Sequence, residues 1–513
     1  MIHRRRLETV QNKKSADLYK RGQAHIDAGR HVEALHCYLK VIKIIPNSWD
    51  ACFRCGVLLF ELQRYEEALS FLDRCQKEQP SHATTLYMRA RTLRMMRRFE
   101  EAIVVSEQAE VLAPHDANVF NNAGIILHWL CRDRDAVDRF DRAILLNPQF
   151  VDAIVNKANS LVQLQRFTEA LSCYAMAKSL APDDATIDWN VAYLKMVTGD
   201  FAAGWVGRES RWTKKVAPVP YPKFPSPMWS GQEPVTGKTI LVYADEGLGD
   251  TIQFARYLPL LAAHGARVVL VADQALHSLM SRLPGVALFV PKSDGATVPR
   301  FDLHCALSSL PLAFCTRVDT VPSARAYFPP IAAEEKRAWE ARLGDRQGMR
   351  VGLAWSGNQL HVNDHNRSVP LKLMARLVSD DAQFVSLQKD PRPVDRTILR
   401  ERSDIADHTS HMTDFSATAA LMACLDLVIT VDTSVAHLAA AFGRPTWILL
   451  PYTPDYRWLL DRDDSLWYPT VRLFRQDVTR DYQIVIERVR AELAQQIRSF
   501  GGASSANQMA GLA

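Results

Sequence analysis

Hydrophobic and polar positions follow two different patterns along this chain. Through the first two hundred residues, apolar helical stretches are separated by prolines at a constant interval, which predicts repeated helices. From about residue 238, short runs rich in β-branched residues alternate with helical stretches. This alternation is typical of parallel sheets covered by helices, so we predict an α-helical region followed by an α/β region.

The first region repeats every 34 residues. Prolines follow apolar helix ends at positions 46, 80, 114, 148 and 182. In the same register alanine recurs at 34, 68, 102, 136 and 170, and glycine or alanine recurs at 22, 56, 90, 124, 158 and 192. Small residues at two fixed positions let two helices approach closely, and the proline forces a turn after the second helix. Each repeat is therefore predicted to be a helical hairpin.

This pattern resembles the tetratricopeptide repeat. Five full repeats run from about 15 to 184, a capping helix extends the repeat domain to 212, and a polar basic segment precedes it over 1–14. Stacks of this repeat form a superhelix with a concave groove. The resemblance implies that the groove holds a protein or peptide partner.

Three asparagines share one repeat position on the first helices, which face the groove: Asn122, Asn156 and Asn190. A column of carboxamides there would donate to and accept from the backbone of an extended peptide. The alternative is that these asparagines hold neighbouring helices together. The sequence leaves both interpretations open.

The second region begins after a proline-rich linker. Residues 213–238 contain six prolines and no periodicity, which indicates a stiff extended connector. Strand and helix patterns then fall in two blocks, 239–330 and 349–498, which predict two Rossmann-like domains facing across a cleft. The last helix of the second block is expected to cross over and pack on the first, and the tail 499–513 is expected to be disordered.

Composition narrows the class of protein only slightly. The net charge of +5 over 513 residues indicates neither a nucleic-acid nor a membrane partner. No apolar run has the length of a transmembrane segment, and the basic N-terminus lacks the apolar core of a secretory signal, so a cytoplasmic location is expected. Nine cysteines among apolar neighbours suit reduced thiols, and the Cys52 and Cys55 pair favours core packing over zinc.

One candidate site lies in the stretch YADEGLGDTIQFARYL, where a strand runs into a glycine corner and then a helix. Such a corner places backbone N–H groups at the carboxyl edge of a parallel sheet, where α/β proteins bind ligands. Gly247 and Gly249 allow close approach of a substrate. Asp250 is a candidate functional carboxylate, or else it only caps the helix.

A second corner follows the strand in LVITVDTSVAH. Hydroxyls and free N–H groups at a helix start are suited to phosphate, so Thr433 and Ser434 are candidate donor ligands. Asp432 suits the hydroxyls of a sugar, and His437 lies one turn into the helix on the side facing the corner. The alternative for His437 is a buried packing residue.

A third polar corner, WSGNQLHVNDHNRS, contains Arg367, whose guanidinium suits a diphosphate. Gln388 and Lys389 end the next strand and are candidates for base or phosphate contacts. Arg457 lies in an aromatic segment that lines the cleft or packs beneath it.

These three corners resemble the ADP-heptose:lipopolysaccharide heptosyltransferase family, and most closely its bacterial branch with preceding tetratricopeptide repeats. A more distant resemblance, in architecture, is to protein O-GlcNAc transferase. The resemblance implies a tetratricopeptide α-superhelix followed by a GT-B fold of two Rossmann-like domains. It implies Asp250 as the general base, Arg367 as the ligand of the donor diphosphate, and the Asp432 to His437 corner as the site for donor sugar and phosphate.

The implied reaction is sugar transfer from a nucleotide-sugar donor by direct displacement with inversion, without a metal or other cofactor. An acceptor protein recruited by the repeats is the leading hypothesis, and the asparagine column favours it. The alternatives are a lipopolysaccharide or polysaccharide glycosyltransferase, and a non-catalytic scaffold with a degenerate GT-B domain.

Overall fold

A computed structural model describes residues 2–213, 221–293, 297–361 and 363–510 of the chain, with side chains from 13 to 501. Part of the predicted linker, residues 214–220, and the last three residues of the predicted tail lie outside the described residues. The chain divides into two compact units, Met1–Ile187 and Asp188–Ala513. No helix among the described residues has both the length and the apolar character needed to span a membrane.

The first unit is a stack of helical hairpins, as the repeat pattern predicts. Consecutive helices pair within each hairpin, and each hairpin packs on the next. The helices are α1 (Ile2–Asp27), α2 (His31–Ile44), α3 (Trp49–Glu61), α4 (Tyr65–Glu78), α5 (Ala83–Met95), α6 (Phe99–Leu112), α7 (Ala117–Trp129), α8 (Asp133–Leu146), α9 (Val151–Gln163) and α10 (Phe167–Leu180).

The small residues of the repeat lie where helices pack most closely. The alanines at 34, 68, 102, 136 and 170 are fully buried. At the second small position, a Cβ added to Gly124 would lie 2.5 Å from Cε1 of Phe140, so a larger side chain has no room there. The close packing that the sequence pattern predicts is therefore present in the fold.

The turn inside each hairpin contains a residue with a positive φ, which the sequence pattern does not predict. The residue in the turn adopts a positive φ at six positions spaced by 34 residues: Gly29, Gln63, Arg97, Cys131, Gln165 and Gly199. Glycine favours this left-handed conformation because it lacks a Cβ, yet four of the six positions carry other residues. The helix packing on both sides therefore imposes the turn without a glycine signal.

The second unit begins with helical residues that continue the repeat pattern. Helix α11 (Ala185–Val197) crosses the boundary between the units, and α12 (Phe201–Arg208) lies in the second unit, followed by a 3₁₀ turn over Glu209–Trp212. The capping helix predicted for the repeat domain is thus a part of the second compact unit.

A four-stranded parallel sheet follows, with the order β3-β2-β1-β4. Its strands are β1 (Thr239–Tyr243), β2 (Arg267–Ala272), β3 (Val286–Pro291) and β4 (Leu303–Ala306). Its helices are α13 (Leu248–Phe254), α14 (Tyr257–Ala263), α15 (His277–Met280) and α16 (Leu310–Ala313). Strand order reverses at β1, so the glycine corner after β1 lies at a topological switch point.

The second sheet has six parallel strands in the order β10-β9-β8-β5-β6-β7. Its strands are β5 (Met349–Ala354), β6 (Ala382–Ser386), β7 (Ile405–Asp407), β8 (Leu427–Val431), β9 (Thr446–Leu450) and β10 (Val471–Arg475). Its helices are α17 (Ala333–Leu343), α18 (Asp364–Arg367), α19 (Leu371–Met374), α20 (Pro393–Glu401), α21 (Phe415–Met422), α22 (Ser434–Ala441) and α23 (Tyr482–Ala510). Strand order reverses at β5, which places the second and third corners on adjacent strands.

The structure differs from the sequence-based expectations at three strands and at the last helix. Strands β4, β7 and β10 were not predicted, because they are short or carry charged residues between the apolar ones. The apolar face of α23, with Val485, Ile486 and Val489, belongs to the core of the six-stranded sheet and not to the first block as expected. The helix also continues over 499–510, where we expected a disordered tail, because a helix anchored by its packed first turns can extend beyond its contacts.

Candidate active site

The corner after β1 begins at Ala244 and ends where α13 starts at Leu248. The backbone N–H of Gly247 donates to Oδ2 of Asp250 at 3.0 Å. Asp250 therefore does cap its own helix, as the alternative interpretation of this corner expects. The other carboxylate oxygen, Oδ1, has a different partner.

That partner is Arg457, which lies in the 3₁₀ turn Tyr456–Trp458 after β9. Its side chain is 9% exposed and also donates to Asp455 Oδ1 at 2.8 Å and to the side chain of Gln253. Burial raises the pKa of the Asp250 carboxyl to about 6, while Arg457 opposes this rise. Asp250 is therefore a carboxylate at neutral pH but titrates close to it.

The two other carboxylates of the corner also pair with arginines. Glu246 accepts a hydrogen bond from Arg208, the last residue of α12. Asp245 accepts one from Nε of Arg211 at 3.2 Å, and Arg211 lies in the 3₁₀ turn that follows α12. A different arginine offsets each carboxylate, so the corner can hold three acids that are only partly exposed to water.

The corner after β8 presents a helix start. Thr433 is the N-cap residue of α22, and its Oγ1 is buried with no hydrogen-bond partner among the described residues. The first N–H groups of a helix have no partner within the helix, so this end attracts anions. Asp432 precedes it, 9% exposed, and its pKa is raised by burial and then by the nearby Asp455.

His437 lies one turn into α22 and is buried. Its Nδ1 is 2.9 Å from the hydroxyl of Tyr468, its Nε2 is 3.9 Å from Oδ1 of Asp432, and its ring stacks on Trp458 with 5.6 Å between centroids. Burial, and then Arg457, hold the pKa of His437 well below its usual range. His437 is therefore neutral, and it meets a ligand through hydrogen bonds and not through charge.

These two corners meet directly. A Cβ added to Gly249 would lie 3.1 Å from Cδ2 of His437 and 3.5 Å from Cα of Ser434. Helices α13 and α22 therefore pack together at Gly249, where the sequence predicts close approach of a substrate. The contact is made by the protein's own helix, and it brings Asp250 and the start of α22 to one location.

The corner after β5 joins the same location. Nη1 of Arg367 donates to the backbone carbonyl of Asp432 at 2.9 Å, and Gly357 leaves room for this guanidinium, since a Cβ there would lie 2.8 Å from Nη2. Nε of Arg367 and Oγ of Ser356 are buried and lack hydrogen-bond partners within the described parts of the chain. With Thr433, the edge of β5 and β8 thus holds three polar groups without partners.

Gln388 also lies at this edge, but its carbonyl oxygen is occupied. Oε1 accepts from the backbone N–H of Trp355 at 3.1 Å and from that of Ser356 at 3.0 Å. Gln388 therefore holds the backbone of the corner after β5 through its carbonyl oxygen. Lys389 is directed elsewhere, since its Nζ donates to the carbonyl of Thr413 at 3.1 Å.

The asparagine column has partners within the protein. Oδ1 of Asn122 accepts from Nε of Arg94 at 3.0 Å, and Nδ2 of Asn156 donates to Oδ1 of Asn121 at 3.1 Å. Each bond joins the first helices of neighbouring hairpins in the first unit, as the alternative interpretation of the column expects. Asn190 lies on α11 in the second unit.

Two family models match this chain, one in the α/β region and one in the helical repeat region. The family model described as "Glycosyltransferase family 9 (heptosyltransferase)" matches residues 409–460, which include the whole corner after β8 and Arg457. The tetratricopeptide repeat model matches residues 19–83 and 134–185. The chain carries tetratricopeptide repeats and a glycosyltransferase family 9 domain.

A relative of similar size covers most of the chain. Protein FlbA of Caulobacter vibrioides is 27% identical over 497 residues, which are 92% of this chain and 82% of that protein. Anaphase-promoting complex subunit 3 of Schizosaccharomyces pombe is 25% identical over 122 residues, 24% of this chain and 18% of that protein.

Solved structures similar to this chain resemble part of it. Pseudomonas aeruginosa PilF matches 39% of this chain and 92% of its own, with 18% identity and a TM-score of 0.35. MamA of Desulfovibrio magneticus matches 33% of this chain and 97% of its own, with 19% identity and a TM-score of 0.32.

Two charged groups beside the candidate site were not given a role from the sequence. Arg457 was noted but left as a residue that lines or underlies the cleft, and Arg208 was not considered. A signal existed in both cases, since each arginine lies among aromatic residues in a segment that otherwise has the pattern of a core. A buried guanidinium is often paired with a carboxylate, and the corner after β1 has more carboxylates than one helix cap requires.

Proposed function

We propose that this chain is a GT-B glycosyltransferase that moves a sugar from a nucleotide-sugar donor to a protein acceptor, with inversion and without a metal. The glycosyltransferase family 9 match supports the reaction class, and two parallel sheets with corners at their switch points suit a GT-B architecture. The observation that carries the proposal is the contact of Gly249 with His437, because it unites the proposed base and the proposed donor site.

Asp250 is the proposed general base. In a direct displacement the acceptor oxygen attacks the anomeric carbon, its proton passes to Asp250, and the bond from that carbon to the diphosphate breaks with its electron pair leaving on the nucleotide. A carboxyl with a pKa of about 6 is charged at neutral pH and yet basic enough to accept the proton. Because Oδ1 of Asp250 is paired with Arg457, this step requires either that Arg457 moves away from Oδ1 or that Oδ1 accepts the proton while the ion pair is still formed.

The groups at the β5 and β8 edge are the proposed ligands of the donor. Arg367, with its unpartnered Nε, and the start of α22 at Ser434 supply positive charge and N–H donors for the diphosphate. The buried hydroxyls of Ser356 and Thr433 can donate to the same oxygens. Asp432 remains the candidate for sugar hydroxyls, and neutral His437 assists by hydrogen bonding.

The acceptor is proposed to be a protein because tetratricopeptide repeats commonly bind polypeptide segments. The interhelix bonds of Asn122 and Asn156 weaken the case for an asparagine column that binds the peptide backbone. A second candidate is transfer to a lipopolysaccharide or polysaccharide, which the heptosyltransferase description of the matched family favours.

The proposal is tested with the full chain and its Asp250→Asn variant. Calorimetry against a panel of nucleotide sugars should identify a donor that both proteins bind, and nucleotide release with that donor and acceptor should fall by about two orders of magnitude in the variant. Mass spectrometry of candidate acceptors separates the protein from the saccharide hypothesis. The absence of binding to every donor would favour a non-catalytic scaffold, and full turnover of the variant would return Asp250 to a capping role.

A further inference from the structure

We propose that Arg208, on the helix that follows the last full repeat, is a positioning residue for glycosyl transfer that neutralises Glu246 and thereby keeps Asp250 available as the base. This inference rests on the proposed function of Asp250. It extends the site beyond the two sheets to α12, a helix that the repeat pattern assigns to the other half of the protein.

Arg208 is held in a single place by its surroundings. Its side chain is 5% exposed, and Nη2 donates to Oε1 of Glu246. The guanidinium lies over the rings of Trp189, Trp205 and Tyr456, at 4.9, 5.9 and 5.2 Å from the centroids. A charged group enclosed by three aromatic rings and one carboxylate cannot turn to a different partner without losing these contacts.

Helix α12 is itself anchored to the four-stranded sheet domain. Nε1 of Trp205 donates to the carbonyl of Thr316 at 3.0 Å, and the indole packs edge-on against Phe254 at the end of α13. The helix also contacts the second block, since the ring of Phe201 lies 6.1 Å from that of Trp467 in the segment before β10. The helix therefore has a fixed position relative to the helix that carries Asp250.

The titratable groups near Asp250 come from four elements. The charged groups are Glu246 on the same corner, Arg457 and Asp455 in the loop after β9, and Arg208 on α12. Two neutral titratable groups lie nearby, His437 on α22 and Tyr456 in the loop after β9. Burial raises the pKa of Asp250, Arg457 and Arg208 lower it, and Glu246 and Asp455 raise it. Arg457 is shared with Asp455, so Arg208 is the cation that offsets Glu246.

Removal of Arg208 therefore leaves an uncompensated carboxylate next to Asp250. The pKa of Asp250 then rises further, and the base is protonated at a higher pH. Removal of Glu246 has the opposite effect, because Arg208 then acts on Asp250 alone. Removal of both restores the balance. A role of Arg208 in packing alone would not produce shifts of opposite sign.

The experiment uses Arg208→Met, Glu246→Gln and the double variant in the full chain. The first readout is the pH profile of nucleotide release with the donor that calorimetry identifies. The acid limb should move up by about one pH unit in Arg208→Met and down in Glu246→Gln, and should return close to the wild-type position in the double variant. Arg208→Lys keeps the charge and should keep the limb in place.

The second readout needs no substrate. The melting temperature of each protein is compared with that of the same protein carrying Asp250→Asn, from about pH 5 to 8. The pH above which this difference becomes constant reports the pKa of Asp250 in the folded protein, and it should shift with the same signs. Arg472→Met is a control for the loss of an arginine–carboxylate pair at a more exposed place, since Arg472 on β10 pairs with Glu492 and lies over the ring of Phe474.

An acid limb and a levelling-off pH that both stay unchanged in Arg208→Met, or a double variant that does not return toward wild type, would overturn the proposal. Should Arg208→Met fail to fold, Glu246→Gln and Arg208→Lys still test it through the direction of their shifts. Full turnover of Asp250→Asn would reject the proposed role of Asp250 as the base, whereas the melting measurements would still show whether Arg208 sets the charge of Asp250.

Discussion

Arg457 and Asp250 form an ion pair that joins the loop after β9 of the six-stranded sheet to the first helix of the four-stranded sheet domain. The same arginine pairs with Asp455 on its own loop. One guanidinium thus connects the proposed base to the side of the protein that carries the proposed donor ligands. Removal or displacement of Arg457 should therefore lower both the stability of the protein and its turnover.

Replacement of Arg457 by methionine removes the cation shared by two carboxylates. We expect a lower melting temperature and a loss of turnover of more than about tenfold, because a buried charge left without its partner is strongly unfavourable. Arg457→Lys keeps the charge but loses the fork that reaches Asp250, Asp455 and Gln253 together, so its defect should be intermediate. Differential scanning calorimetry and nucleotide-release assays measure the two effects. Wild-type behaviour of the methionine variant would contradict this role.

The pH dependence of turnover should report Asp250. Its pKa of about 6 is raised above the ordinary value, so the base is charged above that pH and protonated below it. Turnover should reach a plateau above about pH 7 and fall about tenfold for each unit below pH 6. A profile of kcat/KM measured on the wild-type protein checks this. A flat profile down to about pH 5 would mean that Asp250 does not act as the base.

Gly249 should tolerate no larger side chain. A Cβ there would already lie 3.1 Å from the His437 ring, so Gly249→Val must push α13 away from α22. We expect weaker donor binding and lost turnover, measured by calorimetry and nucleotide release. Gly501→Val is the control, because no atom lies within 4 Å of a Cβ at that exposed position. Equal activity of both variants would show that the contact between the helices is dispensable.

The first unit offers a test of packing that is independent of catalysis. Gly124→Val places new atoms where a Cβ would lie 2.5 Å from the Phe140 ring, and we expect a loss of about 1–3 kcal/mol in the free energy of unfolding. Phe140→Leu in the same protein should relieve part of that loss, since the two residues contact each other. Thermal unfolding followed by circular dichroism measures both. Strictly additive effects would contradict the contact.

Much of the fold follows from local pattern. The helical hairpins were predictable because a 34-residue spacing of proline and small residues is specific to a repeated pair of closely packed helices. The backbone conformation of the hairpin turns was not predictable, because Gln63, Arg97 and Gln165 are left-handed there although their residue types do not favour that conformation. Strands β4, β7 and β10 were missed because β4 and β7 are short and β10 carries two arginines among its apolar residues.

The candidate site shows the same division. The sequence by itself determined the three corners, because a strand that runs into a polar helix start is a local feature whose chemistry is written in consecutive residues such as Asp432 to Ser434. Only the tertiary structure decided which distant groups meet those corners: Arg457 at Asp250, Arg208 at Glu246 and His437 at Gly249. The physical reason is that an ion pair or a close helix contact depends on how near two separate segments are packed in space. The local pattern of apolar and polar residues does not determine that distance.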